Sequence, residues 1–227
     1  MSESTLSSCF CGHASLAALG HYLRHIDLLA PIQERVKIAQ KTIKYTPYNK
    51  LCGAFVLLLT GAHRMVEINT RLRADPALCQ AFGKTGYAEQ SVVQDTLDAC
   101  TDQNVEQMQQ AVNVIFRAHS RTGCHDYQKQ WQLLDIDLSG RECGKAAEDA
   151  TKGYFHQKGA YGRQQGRVYA SFYDEIVCER LFLGNTTTSS AVQPLLTDAQ
   201  QALQLTEEQR AKMKAERAAA KEAKEAK

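Results

Sequence analysis

At Thr122-Gly123 the spacing of apolar residues in this chain changes from every third or fourth position to every second, which excludes a fold built from one kind of element. Upstream, residues 14–30 place Leu16, Leu19, Leu23, Ile26 and Leu29 on one helical face, with Ser15 as a plausible cap. Pro31 interrupts that pattern and opens a second, short helix over 32–40. Thr46-Pro47 starts a stronger one, with Leu51, Phe55, Leu58 and Leu59 on one stripe. Gly61 separates it from a helix over 62–73, and Asp75-Pro76 opens another, capped by Asp75. Gly83 and Gly86 mark a turn. Helices over 88–100 and 103–121 follow, the second with Val105, Met108, Val112, Ile115 and Phe116 facing inward.

Downstream, Trp131 to Leu138 reads as a buried strand with Asp135 and Asp137 at its polar end. Residues 140–162 read as a long polar loop. Val168 to Tyr173 and Ile176 to Leu183 read as two further strands, ended by Gly184-Asn185. Ser189 or Ser190 caps a helix to about Leu203, with Pro194 tolerated only near its first turn. Three strands and then a helix predict an α+β fold with antiparallel pairing first and a crossover afterwards.

A hydrophobic fraction of 44% is enough for a packed core. The net charge of +2 names no partner, so any basic surface has to be local. The eight cysteines are scattered and no signal peptide precedes them, which predicts free thiols in a reducing cytosol. The apolar run Ala54 to Leu59 is far shorter than the roughly 20 residues that span a bilayer, so no membrane partner is expected.

The chemistry-bearing candidate is the carboxylate pair. A spacing of two puts Asp135 and Asp137 on one face of a strand. Phosphoryl transfer uses two divalent ions roughly 3.5–4 Å apart, held by carboxylates and water. The plainer alternative is two solvated side chains at a strand end. Cys9, Cys11 and His13, with His21 and His25, match no well-attested zinc spacing and read more simply as surface groups. Cys124-His125-Asp126 is contiguous, whereas a catalytic triad is assembled from separated residues. Lys152, Lys158, Arg163, Arg167 and Arg180, with Tyr154, Phe155 and Tyr161 among them, form a candidate phosphate-facing patch. Their plain alternative is a solvated loop. Arg64, Arg71 and Arg73 make a second basic surface, better placed than the segment Ala88 to Cys100, whose Glu89, Asp95 and Asp98 repel phosphate.

Several phrases resemble a known family. Leu134-Asp135-Ile136-Asp137-Leu138-Ser139-Gly140, Thr151-Lys152-Gly153-Tyr154-Phe155, Tyr161-Gly162-Arg163-Gln164 and Leu183-Gly184-Asn185-Thr186, in this order and spacing, are similar to the front portion of DDE transposases of bacterial insertion sequences. Leu57 to Gly61 followed by Leu72 to Leu78 resembles that family's helical segment, and Ser91-Val92-Val93 sits where such proteins have a helix-turn-helix-like element. The resemblance implies a ribonuclease H-like catalytic domain after a helical DNA-binding region. The implied divisions are a flexible terminus at 1–13, the helical region at 14–121, the first half of the catalytic domain at 122–205, and an Ala/Lys/Glu helical tail at 206–227.

The resemblance makes Asp137 the match to the first catalytic Asp and metal ligand, with Asp135 second. It implies Mg²⁺ as cofactor, insertion-sequence ends as the DNA partner and a bacterial cytoplasmic, nucleoid-associated location. The family's second Asp and its Glu have no counterpart, because Arg210 to Lys227 is a polar stretch without Asp. The expectation is therefore a truncated, catalytically inactive chain that binds Mg²⁺ weakly. Its first strand would have an open edge, giving aggregation, marginal stability or a homodimer. The alternative is a non-catalytic DNA-binding module that inhibits transposition.

Overall fold

A computed structural model describes residues 11–41, 44–127, 129–156 and 159–204. The expectations for Cys9, Lys158 and the tail from Thr206 on lie outside the described residues. The chain divides into two compact units, with the boundary between Ile115 and Phe116.

The first unit is helical. It contains α1 (Ala14–His25), α2 (Ala30–Arg35), α3 (Pro47–Leu59), a π-helical turn (Ile68–Leu72), α4 (Pro76–Ala81), α5 (Gln90–Asp98) and α6 (Asp102–His119), within which the boundary falls. The Asp75 cap is as the sequence predicts, and Thr46 caps the helix that Thr46-Pro47 is expected to start. Thr46 accepts a hydrogen bond from the Asn49 N–H at 3.2 Å, and Asp75 accepts one from the Leu78 N–H at 2.8 Å. The core gathers Leu16, Val56, Leu57, Ile68, Leu72, Leu78 and Val93, with Phe82 and Tyr87.

Several details differ from expectation: α2 ends at Arg35, where Val36 turns extended, short of the expected 40, and α3 buries Val56 and Leu57 while Leu58 of the expected stripe is exposed. The helix expected over 14–30 stops at His25, because Asp27 takes a left-handed conformation (φ 51°) and the Leu28 N–H turns back to the Leu23 carbonyl. Ser15 lies inside α1 and does not cap it. The helix expected over 62–73 is a turn followed by the π turn, closed by a hydrogen bond from the Arg73 N–H to the Ile68 carbonyl at 3.1 Å. On α6, Val105 and Val112 are exposed, while Asn104, Ala111 and Asn113 are buried. Asn104 is held there by hydrogen bonding, its amide donating to the Lys37 carbonyl at 2.9 Å. Polar satisfaction thus competes with the apolar stripe for the inward face.

The second unit is a mixed α+β layer. The strands β1 (Asp135–Glu142), β2 (Thr151–Lys152), β3 (Tyr161–Ala170) and β4 (Glu175–Leu183) form one antiparallel sheet, followed by α7 (Thr188–Leu203). The long strand β3 is central, paired with β1 on one side and with β2 and β4 on the other. Among the described residues, β1 is bonded on one side only. One sheet face packs on α7 through Val168, Ala170, Val177, Cys178, Ala191, Leu195 and Ala199, with Ile136, Leu138 and Phe182 partly buried beside them. Burial pushes the Cys178 thiol up to about 12. Thr187 and Ser190 cap α7 reciprocally.

The sheet corrects three expectations. The first strand starts at Asp135, after exposed Trp131 and Leu133, and continues through Ser139-Gly140 to Glu142. It is not the buried strand predicted over Trp131–Leu138, and its carboxylates stand at its beginning. The central strand begins at Tyr161, inside the stretch expected to be a loop, and ends at Ala170. Its inward positions start with Gly162, Gln164 and Gly166, so the usual apolar alternation is missing. These residues are small or polar because the space is taken: a Cβ on Gly162 would lie 2.4 Å from the Arg141 carbonyl oxygen, and one on Gly166 would lie 2.7 Å from the Phe182 ring. Finally, Pro194 lies inside α7, beyond its first turn. The carbonyl it leaves without a donor, on Ser190, is on an exposed residue and open to water.

Candidate nucleic-acid interface

Alternation sends Tyr161, Arg163, Gln165, Arg167 and Tyr169 to the face of β3 away from α7. The register brings β1 residues beside them: Asp135 opposite Tyr169, Asp137 opposite Arg167, Ser139 opposite Gln165 and Arg141 opposite Arg163. The uncovered face is thereby sorted by charge along the strands.

At one end the groups are acidic or compensated. The Asp135 carboxylate accepts the Ser171 hydroxyl, and Asp137 accepts the Ser139 hydroxyl at 3.0 Å. The Tyr169 hydroxyl donates to Asp174, and that hydrogen bond raises the phenol pKa. Arg167 is paired with Glu179 across β3 and β4. Nearby, Glu175 accepts the Arg121 and Thr122 N–H groups at 3.0 and 2.8 Å. Burial works to raise its pKa, but those hydrogen bonds and the Arg121 charge outweigh burial and hold the carboxyl below its usual range.

The other end is basic. Arg141 and Arg163 face each other directly, yet each donates to a neutral acceptor. The Arg141 Nε reaches the Gln165 side-chain oxygen at 2.7 Å, and the Arg163 Nε reaches the Glu148 main-chain carbonyl at 2.7 Å. The Lys145 and Lys152 ammonium groups sit 5.8 and 5.7 Å from the Tyr161 ring centre. Among the described residues none of these four cations has an ion-pair partner. Like charges directly opposite on a sheet repel, and a bound polyanion would relieve that repulsion.

The glycines of the family-like phrases meet behind this basic end. A Cβ on Gly153 would fall 1.8 Å from the Gly184 carbonyl oxygen, and one on Gly184 would fall 2.4 Å from the Gly162 oxygen. Phe155, which is buried, fills the space beside them. This close approach aligns β2 with the start of β3 and the end of β4, and so sets Lys152 beside Tyr161.

The remaining candidates separate. Arg180 points to the covered face and forks onto Asp198 of α7 with two 2.7 Å bonds. Tyr154 is fully exposed, and Phe155 is core. In the helical unit, Arg71 pairs with Glu67 at 2.6 Å and donates to the Thr60 carbonyl, while Arg73 pairs with Glu89 at 3.0 Å. Arg64 is exposed at the turn before them. Two of the three arginines of that second surface are therefore neutralised locally. His125, in the Cys124-His125-Asp126 run, bonds the Tyr173 hydroxyl and the Gln130 carbonyl, both structural partners.

The described residues around Asp135 and Asp137 do not fit a divalent ion. Asp135 and Asp137 are solvent-exposed, each accepts a serine hydroxyl, and among the described residues no group of three or more His, Cys, Asp or Glu side chains converges. Sequence reasoning missed Arg141 and Lys145. Arg141 shares the parity of Asp137 and would have been found by extending the strand past Gly140. Lys145 lies in a turn, and no pattern in the sequence marks it.

Compared with models of known families, with curated proteins and with solved structures, the chain matches none. The fold is α+β, a helical unit and an open four-stranded antiparallel sheet backed by a helix. Among the described residues no helix is long and apolar enough to cross a membrane.

Proposed function

We propose that this chain is a DNA-binding protein of the DDE-transposase kind that does not itself cut or join DNA. The observation that carries the binding half is the set Arg141, Lys145, Lys152 and Arg163 around Tyr161, four cations that have no carboxylate partner among the described residues. Guanidinium and ammonium groups in such a cluster bind backbone phosphates, and the half-buried Tyr161 ring leaves part of its surface for stacking. The family half is supported by the quoted phrases and by the strand path β1-β3-β4 with a helix returning to the sheet. That path is what the resemblance implies for the first part of a ribonuclease H-like domain.

The non-catalytic half is supported by the carboxylates. Asp137 and Asp135 stand at the end of the face opposite the basic cluster, and among the described residues no further ligands of the kind a two-metal reaction requires converge there. The target this reading implies is an insertion-sequence end, which the protein would occupy in competition with an active transposase.

A mobility-shift titration of the full chain on terminal-repeat duplex tests the reading. The expected result is retardation whose log affinity falls with log salt at a slope of about −3 to −4, four phosphates at about 0.9 each. No retardation at low salt removes the binding half. Cleavage of the duplex with Mg²⁺ or Mn²⁺, lost in Asp137→Ala, removes the non-catalytic half.

A further inference from the structure

The helical unit contains a buried cation with no counter-charge among the described residues. Lys50, on the first turn of α3, is only 4% exposed. Its ammonium donates to the Gln40 side-chain oxygen at 2.8 Å, and that oxygen also accepts the Thr96 hydroxyl at 2.6 Å. An ammonium has three donors, and burying one without an anion is costly. Among the described residues no carboxylate lies within ion-pair distance of Lys50.

Lys50 lines a cavity of about 460 Å³ whose wall also carries Lys41, Lys44 and Arg73. Two acids border it. Glu89 is already engaged by Arg73 at 3.0 Å, and Asp95 is exposed on α5. Four cations against two carboxylates leave a formal charge of +2 (4 − 2) in a space walled by the Tyr45 and Tyr87 rings. Tyr87 lines this cavity and the adjoining one of about 470 Å³, and its buried hydroxyl has no hydrogen-bond partner among the described residues. Lys84 borders the second cavity, with its ammonium on the Asn49 side chain at 2.8 Å.

We propose that this cavity binds a phosphate group, with Lys50 as its buried contact and Lys41, Lys44 and Arg73 closing over it. A phosphate monoester carries about −1.5 to −2 at neutral pH, which matches the excess charge, whereas a single carboxylate would leave half of it uncompensated. Arg73 contributes a planar fork suited to two phosphate oxygens, and it can turn from Glu89 because both side chains are partly exposed. The proposal concerns the helical unit alone and does not rest on the sheet's basic cluster. The phosphate is either free, as in a mononucleotide, or borne by DNA.

The test titrates the full chain with inorganic phosphate at constant ionic strength, with chloride as control, by calorimetry or by ³¹P line broadening. Saturable binding of one phosphate per chain is expected. Lys50→Met should weaken it about tenfold or more. So should the double substitution Lys41→Gln and Lys44→Gln, which changes only side chains outside the core. Competition by a 5′-mononucleotide assigns the site to a free phosphate, and competition by short duplex alone assigns it to DNA. Binding that never saturates, or that is unchanged in the Lys41/Lys44 variant, overturns the proposal. An Arg141→Gln variant separates the two readings, because it lowers DNA affinity through the sheet and leaves phosphate binding as it was.

Discussion

Arg141 and Arg163 stand directly opposite each other on neighbouring antiparallel strands, and each bonds a neutral oxygen instead of a carboxylate. A sheet does not gain stability from such a pair. Replacing either with Gln is therefore expected to raise thermal stability slightly while weakening DNA binding, and to reduce the salt slope by about 0.9 for each phosphate no longer neutralised. Melting curves and salt-dependent mobility shifts on the same variants measure both. A fall in stability with no change in affinity would make the pair structural.

Asp137→Asn and Asp135→Asn are expected to leave both folding and DNA affinity unchanged, since each side chain is exposed and bonded only to a nearby serine hydroxyl. Adding chelator should likewise leave the melting temperature in place. A melting temperature that rises with Mg²⁺ and stops rising in Asp137→Asn would reveal a metal site.

Gly153→Ala is expected to destabilise the sheet unit by about 1–3 kcal/mol. The added methyl would meet the Gly184 carbonyl oxygen at 1.8 Å, a main-chain atom that cannot rotate away. Denaturant unfolding measures the loss. Because the same approach seats Lys152 beside Tyr161, DNA affinity should fall with it.

Leu195→Ala is expected to cost about 2–5 kcal/mol. Its side chain is fully buried between α7 and the sheet, in contact range of Gly166, where no side chain can move in to fill the space. A loss under about 1 kcal/mol, below the usual range for such a truncation, would mean that α7 is not packed on that face.

Asp75 sets a pH dependence. Burial works to raise its pKa, but hydrogen bonds from the Leu78 and Gly12 N–H groups and the Cys11 thiol, with the His13 ring 3.7 Å away, outweigh burial and hold it below the usual range. A carboxyl depressed on folding contributes stability that is complete above its unfolded value of about 3.9 and drains away as pH falls through the folded value. The helical unit should therefore lose stability steeply below about pH 4. Asp75→Ala should cost about 1–2 kcal/mol at neutral pH as a lost cap and flatten that acid limb. Circular dichroism melts from acid to neutral pH compare the two.

The kind of most elements, and the point where it changes, were legible in local sequence, although β2 and the start of β3 fall in a stretch that reads as loop and the helix expected over 62–73 is a turn and a π turn. Apolar spacing marked α1, α3, α5 and α6, the turn chemistry of Thr46-Pro47 and Asp75-Pro76 marked two helix starts, β4 was visible as an apolar run, and α7 was visible although its N-cap is Thr187, neither Ser189 nor Ser190. These are local signals, carried by a residue and its near neighbours. Tertiary structure alone decided the rest. The inward side of the first half of β3 is glycine and glutamine, where Phe155, Phe182 and Leu195 arrive from elsewhere to fill the space, so that half carried no pattern of its own, while Val168 and Ala170 follow it inward. The register that sets Arg141 against Arg163, and Asp137 against Arg167, depends on strands far apart in the chain. The burial of Lys50 likewise brings its ammonium onto Gln40, which Thr96 of another segment holds in place. Charge can be counted along a chain, but which charges face each other without water or a partner is set only when the chain has packed.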